Sequence, residues 1–359
     1  MRVLISGGGT GGHVFPAIAV AQALSRNDPD GTVLYVGRRG GMEERIIPGY
    51  QIPLETIVAA KLDMEQLWRN WSFPFVLPRA FLMAGRIVRR FRPEVVLGTG
   101  GYVSAPVIMA AATLRIPVVL QEQNYLPGRT TRLLARVATV VATAYPESAK
   151  YLRARTVVTG TPVRTDFARR RTNLPPRPAS LLVLGGSQGA HRINRAVVDA
   201  LPTLVSIARL EVWHQTGERD FPMVREERER LSEPVKGRYH PFPFAEDLAA
   251  KIYGADLVLA RAGAGTLSEV SAAGIPMVLV PGPFAGGHQA LNVGPYERAG
   301  AAIVIPDAEC NGARLSAVLT ALAASPDRYA LMVAAVRALG RPSAADDVVR
   351  ILRDAVRGR

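Results

Sequence analysis

Short apolar runs recur along the chain, each closed by a turn of small residues and followed by a stretch of helical period. Arg2 to Ser6 reads as a buried strand, Gly7 to His13 as a glycine turn, and Val14 to Leu24 as a helix with Pro16 in its first turn. A turn at Asn27–Gly31 leads to a second strand, Thr32 to Val36. Further buried strands are predicted at Glu94–Leu97, Pro117–Leu120 and Thr139–Ala142, with apolar helices at Ala105–Leu114 and Thr130–Ala135. Such alternation means a parallel sheet with helices on both faces. The pattern breaks in the polar, proline-rich run Arg169 to Pro178, which reads as a linker. It then restarts with a strand at Ser180–Leu184, a turn at Gly185–Ala190 and a helix through Leu201. Leu210–His214, Arg238–Pro241, Leu257–Ala260, Met277–Val280 and Ala302–Ile305 continue a second sheet. The class is α/β, with two Rossmann-like halves expected to face each other over a cleft. The expected divisions are 1–164, a linker at 165–179, a second half at 180–340, and a C-terminal helix at 341–359. That helix carries an apolar stripe at Val348, Ile351, Leu352 and Ala355 and is open to either half, including a crossing back to the first.

Within the second half, Asp256 to Asn292 has the order a nucleotide-sugar needs. A buried strand ends in Arg261–Gly265, and Thr266-Leu267-Ser268-Glu269 opens a helix that Gly274 and Pro276 terminate. A helix starting in such a turn offers free amides and a positive dipole end to an anion. Glu269 lies one turn in, within reach of hydroxyls attached to that anion. Gln289 and Asn292 follow, three residues apart and so on one helix face. The same stretch also reads as an ordinary strand–turn–helix unit.

Leu67 to Leu82 departs from this scheme. It gathers Trp68, Trp71, Phe73, Phe75 and Phe81 beside Arg69, Arg79, Arg86, Arg89, Arg90 and Arg92. Aromatic residues among arginines suit a patch lying on an anionic membrane surface. The competing reading is a core helix with solvated charges, although two prolines in the run argue against one long buried helix.

The chain has 359 residues, enough for two ordinary domains, and 48% hydrophobic residues to fill two cores. A net charge of +14 points to anionic partners. Arginine dominates, with lysine only at Lys61, Lys150, Lys236 and Lys251, a bias that genome composition also produces. One cysteine, Cys310, excludes an internal disulfide and any multi-cysteine metal site. No signal peptide is expected after Met1-Arg2, and no apolar run approaches the ~20 residues of a membrane span.

The candidate chemistry lies in the glycine turns. Gly7-x-Gly9-x-x-Gly12 matches the dinucleotide fingerprint, but Gly37-Arg38-Arg39 stands where an acidic residue usually follows the second strand. Arginine there suits a 2′-phosphate, so an NADP-dependent reductase is one reading. A turn admitting an acceptor diphosphate, with His13 at the helix mouth as general base, is the other. His13 as an idle helix cap stays open too. Gly185-Gly186-Ser187-Gln188-Gly189 is a second anion-binding turn, and Arg164 is placed to reach a phosphate or to sit as a plain surface arginine. Asp28-Pro29-Asp30 is ordinary turn chemistry, and the common metal, nucleophile and P-loop motifs are missing.

Several stretches carry a closer resemblance: GGGTGGHVFPAIAVA at 7–21, VLGTGGYVSAP at 96–106, QEQN at 121–124, TPVR at 161–164, GGSQGA at 185–190, and RAGAGTLSE with HQALN further on. Together they resemble the MurG family of glycosyltransferase family 28. The resemblance implies a two-domain GT-B fold that moves GlcNAc from UDP-GlcNAc to the 4-hydroxyl of the muramyl sugar of lipid I, with inversion, in peptidoglycan synthesis. It implies work at the cytoplasmic face of the membrane as a peripheral protein, with other cell-wall synthesis proteins as candidate partners and with neither nucleic acid nor metal or other cofactor. The second half would bind the donor: Phe244 by its backbone near uracil, Glu269 on the ribose, Ser187 and Ala264-Gly265-Thr266 with Leu267 and Ser268 around the diphosphate, Gln289 and Asn292 on the sugar. Thr10, Gly11, Gly12, Asn124 and Arg164 would also border the donor. The first half would receive lipid I, its diphosphate near the Gly7–Gly12 and Gly98–Tyr102 turns, with Gly9, Gly100, Gly101 and Tyr102 as acceptor contacts and the muramyl sugar near His13 and Asn124. His13 is the first choice of base and Glu122 the second. Trp68, Trp71, Phe73, Phe75, Arg86, Arg89 and Arg90 would form the membrane foot. The chain leaves the family pattern at Gln121, Thr161, Gly265 and Gly286-Gly287.

Overall fold

The computed structural model describes residues 1–60, 73–185, 189–206, 208–245, 247–283 and 287–358. The chain divides into two units, Met1–Thr165 with Arg341–Arg359, and Asp166–Gly340.

In the first unit the elements run β1 (Arg2–Gly7), α1 (Gly11–Asn27), β2 (Thr32–Arg38), α2 (Glu43–Ile46), β3 (Leu54–Ile57), α3 (Phe73–Phe91), β4 (Val95–Gly100), α4 (Ser104–Thr113), β5 (Val118–Glu122), α5 (Arg129–Leu134), β6 (Val140–Thr143) and β7 (Thr156–Val158). All pairings are parallel, in the order β3-β2-β1-β4-β5-β6-β7. The chain builds outward from β1 in one direction and from β4 in the other. The order therefore reverses between β1 and β4, and the crevice at their carboxyl ends is where such sheets take ligands. Val3, Ile5, Val95, Leu97 and Val119 face one core, and Leu4, Val96, Val118 and Leu120 face the other. Burial on both faces is why these strands read as unbroken apolar runs.

The second unit runs β8 (Ser180–Leu184), α6 (His191–Ser206), β9 (Glu211–Gln215), α7 (Phe221–Glu229), α8 (Glu233–Lys236), β10 (Tyr239–Phe242), α9 (Leu248–Gly254), β11 (Leu257–Ala260), α10 (Ala264–Ala273), β12 (Met277–Leu279), α11 (His288–Arg298), β13 (Ala302–Val304), α12 (Gly312–Ala323) and α13 (Pro326–Leu339). Its parallel order, β10-β9-β8-β11-β12-β13, reverses between β8 and β11.

Several boundaries differ from expectation. Helix α1 starts at Gly11, so Pro16 sits in its second turn and the Gly12 carbonyl lacks a helical N–H donor. The short edge strands β3 and β7 carry polar residues and were not predicted. The segment expected to be a free linker is laced to the second unit from residue 166 onward. Arg171 pairs with Asp256 at 2.9 Å, Tyr253 exchanges hydrogen bonds with the backbone of Arg169, and Arg337 donates to Arg171 O at 2.7 Å. The last helix, α14 (Ala344–Arg357), packs on α1 and on β4 to β6, burying Ala345, Val348, Val349 and Leu352 in the first core. Asp346 receives Arg26 and Asn27, and Arg353 donates to Asn27 O.

Helix α3 buries Ala80, Ala84, Ile87 and Val88 against the sheet side of the first unit. It leaves Phe75 (75% exposed), Leu77 and Leu82 outside, among the exposed Arg79, Arg86, Arg89 and Arg90. One face is thus core, and the other is exposed, apolar and basic. Helix α3 also runs through Pro78. Trp68 and Trp71 lie outside the described residues, as does the side chain of Phe73.

Candidate active site

In the first unit two turns meet at the β1/β4 crevice. The β1–α1 turn and the β4–α4 turn interlock backbone to backbone: Gly8 N donates to Gly100 O at 3.3 Å, and a Cβ on Gly101 would overlap the Gly8 carbonyl. Gly100 and Gly101 both hold left-handed backbone, with φ of 102° and 81°. Only glycine gives this approach and this conformation without strain. His13 sits in the resulting niche, its ring so close to Gly100 that a Cβ there would come within 2.8 Å of Cδ2. Its main-chain carbonyl accepts from Thr99 Oγ1 at 2.8 Å.

The imidazole has a defined tautomer. Nδ1 lies 3.0 Å from the Gly8 carbonyl, which can only accept, so Nδ1 carries the proton. Thr10 Oγ1 is 3.1 Å from the same nitrogen. Nε2 is then left with its lone pair. Burial pushes the pKa of His13 below its ordinary value, opposed by the charge of Glu122, the Gly8 hydrogen bond and the charge of Glu43. A neutral ring with a free Nε2 lone pair is the state a general base requires.

Glu122, at the end of β5, is spoken for. Oε1 accepts from the backbone and side-chain nitrogens of Asn124 (3.0 and 3.1 Å), and Oε2 accepts from Gly128 N at 3.0 Å. A carboxylate bound by three donors is a good loop anchor, with both oxygens engaged. It fixes the 123–128 loop and holds Asn124 near the crevice. Arg164 lies in this unit too, donating to Tyr50 Oη at 3.0 Å with its guanidinium over the Phe15 ring at 4.5 Å. Tyr102 packs on Gly9 and accepts from Arg38 Nη1 at 3.0 Å.

The first turn also holds a residue that sequence reasoning missed. Glu43 is fully buried, and its Oε1 accepts from Gly9 N at 2.7 Å. In sequence, Gly40-Gly41-Met42-Glu43-Glu44 looks like a solvated turn; only the close packing of Gly8, Gly37 and Gly41 around its side chain reveals the burial. The dinucleotide reading fares poorly here. A pyrophosphate would have to approach a turn already backed by a buried carboxylate, and Arg38 is engaged with Tyr102.

In the second unit the turns after β8 and β11 meet at the other crevice. Gly185 N donates to Gln215 O at 3.1 Å, and Gly189 has φ of 78° and room for no side chain, since a Cβ there would stand 2.6 Å from Thr216 O. Ser187 lies outside the described residues. Helix α10 begins at Ala264 after Gly263, and by helix geometry the first-turn amides of Ala264, Gly265 and Thr266 lack partners within the helix. A Cβ on Gly265 would meet open space. Leu267 is buried as the inward anchor of that turn, and Ser268 Oγ donates back to Ala264 O at 2.8 Å. Glu269 is buried on the same helix. Arg261 braces the turn, donating to Val280 O and pairing with Asp307 at 2.5 Å. Gln289 Oε1 accepts from Gly282 N at 2.8 Å, so this side chain closes the loop before α11, and Asn292 is buried one turn on. Gly286 lies outside the described residues, and Phe244 is 55% exposed.

Beneath the β8–α6 turn lies a buried polar chain that the sequence did not announce. Asn194 Nδ2 donates to Asp220 Oδ2 (2.8 Å) and Thr216 O (2.9 Å), so its Oδ1 must accept from His214 Nε2 at 3.0 Å. His214 Nδ1 then accepts from Tyr239 Oη at 2.8 Å. Burial pushes the His214 pKa down to about 3.

Two parallel α/β units, each with glycine turns and a helix mouth at its switch point, define the two-domain GT-B fold class. Residues 3–143 match the glycosyltransferase family 28 N-terminal domain and residues 180–348 its C-terminal domain. A protein of Moorella thermoacetica called UDP-N-acetylglucosamine–N-acetylmuramyl-(pentapeptide) pyrophosphoryl-undecaprenol N-acetylglucosamine transferase is 41% identical over 98% of each chain. One of that name from Alkalilimnicola ehrlichii is 41% identical over 99% of each. The crystal structure of Acinetobacter baumannii MurG superposes with a TM-score of 0.78 at 30% identity, covering 98% of this chain and 99% of that one. UDP-GlcNAc 2-epimerase of Neisseria meningitidis bound to UDP-GlcNAc, at TM-score 0.70 and 13% identity over 99% of this chain and 100% of that one, shares the fold alone. The chain belongs to glycosyltransferase family 28, in the MurG family.

Proposed function

We propose that this protein transfers GlcNAc from UDP-GlcNAc to the 4-hydroxyl of the MurNAc of lipid I, releasing UDP and giving lipid II, with inversion at the anomeric carbon. The observation that carries the chemistry is the niche of His13, with Nδ1–H tied to the Gly8 carbonyl and Nε2 left as proton acceptor. The 4-oxygen attacks C1, the bond from C1 to the diphosphate oxygen breaks, and the hydroxyl proton passes to Nε2. Charge growing on UDP is stabilised by the first-turn amides and dipole of α10. Glu269 binds the ribose, and Gln289 and Asn292 shape the sugar end. Glu122 acts by anchoring Asn124 and by its charge on the imidazole, not as the base. No helix among the described residues is long and apolar enough to cross a membrane. The exposed apolar and arginine face of α3 supports peripheral attachment to the cytoplasmic leaflet, where a diphosphate-linked lipid is reached.

The test is turnover of radiolabelled UDP-GlcNAc with lipid I, beside calorimetry with UDP-GlcNAc. His13→Ala is expected to lower kcat on the order of 10²–10⁴-fold with unchanged donor affinity. Near-normal turnover in that variant removes His13 as base, and failure of the wild-type protein to bind UDP-GlcNAc removes the transferase reading.

A further inference from the structure

The Gly8–Gly9 peptide is hydrogen-bonded at both ends. Its carbonyl accepts from His13 Nδ1 at 3.0 Å, and its N–H donates to Glu43 Oε1 at 2.7 Å. A fully buried carboxylate and the imidazole are therefore joined through one peptide unit. The seat of the carboxylate is built for it: a Cβ on Gly8 or Gly41 would overlap a Glu43 oxygen, and one on Gly37 would stand 2.8 Å from the Glu43 Cβ. Three glycines, from the turns after β1 and β2 and from the end of β2 itself, are thus shaped around this one side chain. Its second oxygen, also buried, has no partner among the described residues. Burying a carboxylate with one oxygen unpaired is costly, and the hydrogen bond from Gly9 N offsets only part of that cost.

We propose that Glu43 is a positioning residue for His13, acting through the Gly8–Gly9 peptide as the carboxylate of a carboxylate–peptide–imidazole relay. Donation from Gly9 N to a charged acceptor polarises the amide and makes the Gly8 carbonyl a stronger acceptor for Nδ1–H. That holds the ring in the tautomer with Nε2 free, and it favours the imidazolium formed when Nε2 takes a proton. Glu122, from β5, acts on the same ring by its charge, while Tyr102, itself bonded to Arg38, covers Gly9. Tyr35, against Glu43, donates to Gly7 O at 2.8 Å and braces the same turn. The kinetic consequence of the relay rests on His13 being the base; its existence does not.

Nitrogen NMR of the full chain with ¹⁵N-labelled histidine reads the relay directly, the His13 signals being assigned by their loss in His13→Gln. Wild-type His13 is expected as the Nδ1–H tautomer. In Glu43→Gln, whose amide oxygen can still accept from Gly9 N, His13 is expected to titrate at lower pH. The acid limb of the kcat profile should move with it, kcat should fall about tenfold, part of what a positioned base supplies, and KM for UDP-GlcNAc should stay within about twofold. An Nε2–H tautomer in the wild-type protein overturns the proposal without any variant, and so does an unchanged His13 titration in Glu43→Gln. A shifted titration with an unmoved kcat limb upholds the relay and overturns His13 as base.

Discussion

The buried chain beneath the β8–α6 turn makes the second unit acid-sensitive by an amount that can be worked out. His214 is enclosed on all sides, with both ring nitrogens bonded, one as donor to Asn194 and one as acceptor from Tyr239. Its ordinary pKa is 6.5 and burial lowers it to about 3. Between those values the unfolded chain holds a proton that the folded unit refuses, so stability rises with pH. The contribution is complete above pH 6.5 and is lost as the pH falls toward 3. At pH 5 the loss is about 2 kcal/mol, and at pH 3 it exceeds about 4 kcal/mol. Hydrogen–deuterium exchange of peptides from β8, β9 and β11, corrected for intrinsic rates, reports that unit alone. Global opening there should become roughly 30-fold more populated at pH 5 than at pH 7.5. His214→Gln keeps a donor and an acceptor but cannot take the proton, so it should be less stable at pH 7.5 and lack this slope. An equal slope in the variant would refute the assignment, because the acid sensitivity would then come from other groups.

Gly101→Ala should destabilise the first unit by about 2–3 kcal/mol, since the methyl would overlap the Gly8 carbonyl at a backbone φ of 81°; thermal melts should show the loss, with UDP-GlcNAc affinity retained. Glu269→Ala should weaken UDP-GlcNAc binding by about 10- to 100-fold in calorimetry, the worth of a charged hydrogen bond, and an unchanged Kd would place the ribose elsewhere. Reversing Arg86, Arg89 and Arg90 to glutamate should cut binding to phosphatidylglycerol vesicles by at least about 100-fold at low salt; full retention would leave α3 as an ordinary solvated helix.

The frame of this protein is legible in sequence because strands buried on both faces must be apolar throughout, as Val3–Ile5 and Leu181–Leu184 are, and because glycines mark the turns that follow them. Edge strands give weaker signals: β3 is only Leu54, Glu55, Thr56, Ile57, without an apolar/polar alternation to distinguish it from a loop. His13 was legible by position, at the mouth of a helix behind glycines. Its tautomer was not, because that depends on a carbonyl held in place by Gly100 and Gly101 from another loop. Glu43 was invisible for a related reason, its burial depending on the close approach of Gly8 from another loop as well as on Gly37 and Gly41 nearby. The proline-rich run at 169–178 has linker composition, yet a buried Asp256 and the reach of Arg171 and Arg337 tie it down.

Helix α14 has a further consequence, for the order in which the molecule is built. Val348, Val349 and Leu352 complete a core whose other members, Val3, Ile5 and Val14, are synthesised first. The continuous second unit, by contrast, has all its strands in hand before α14 exists. On the ribosome the half that starts first must therefore finish last, waiting with an open hydrophobic flank until its closing helix emerges. Shortening the chain by its last turns would strike the niche of His13 through α1, on which α14 packs, and leave the fold of the second unit standing.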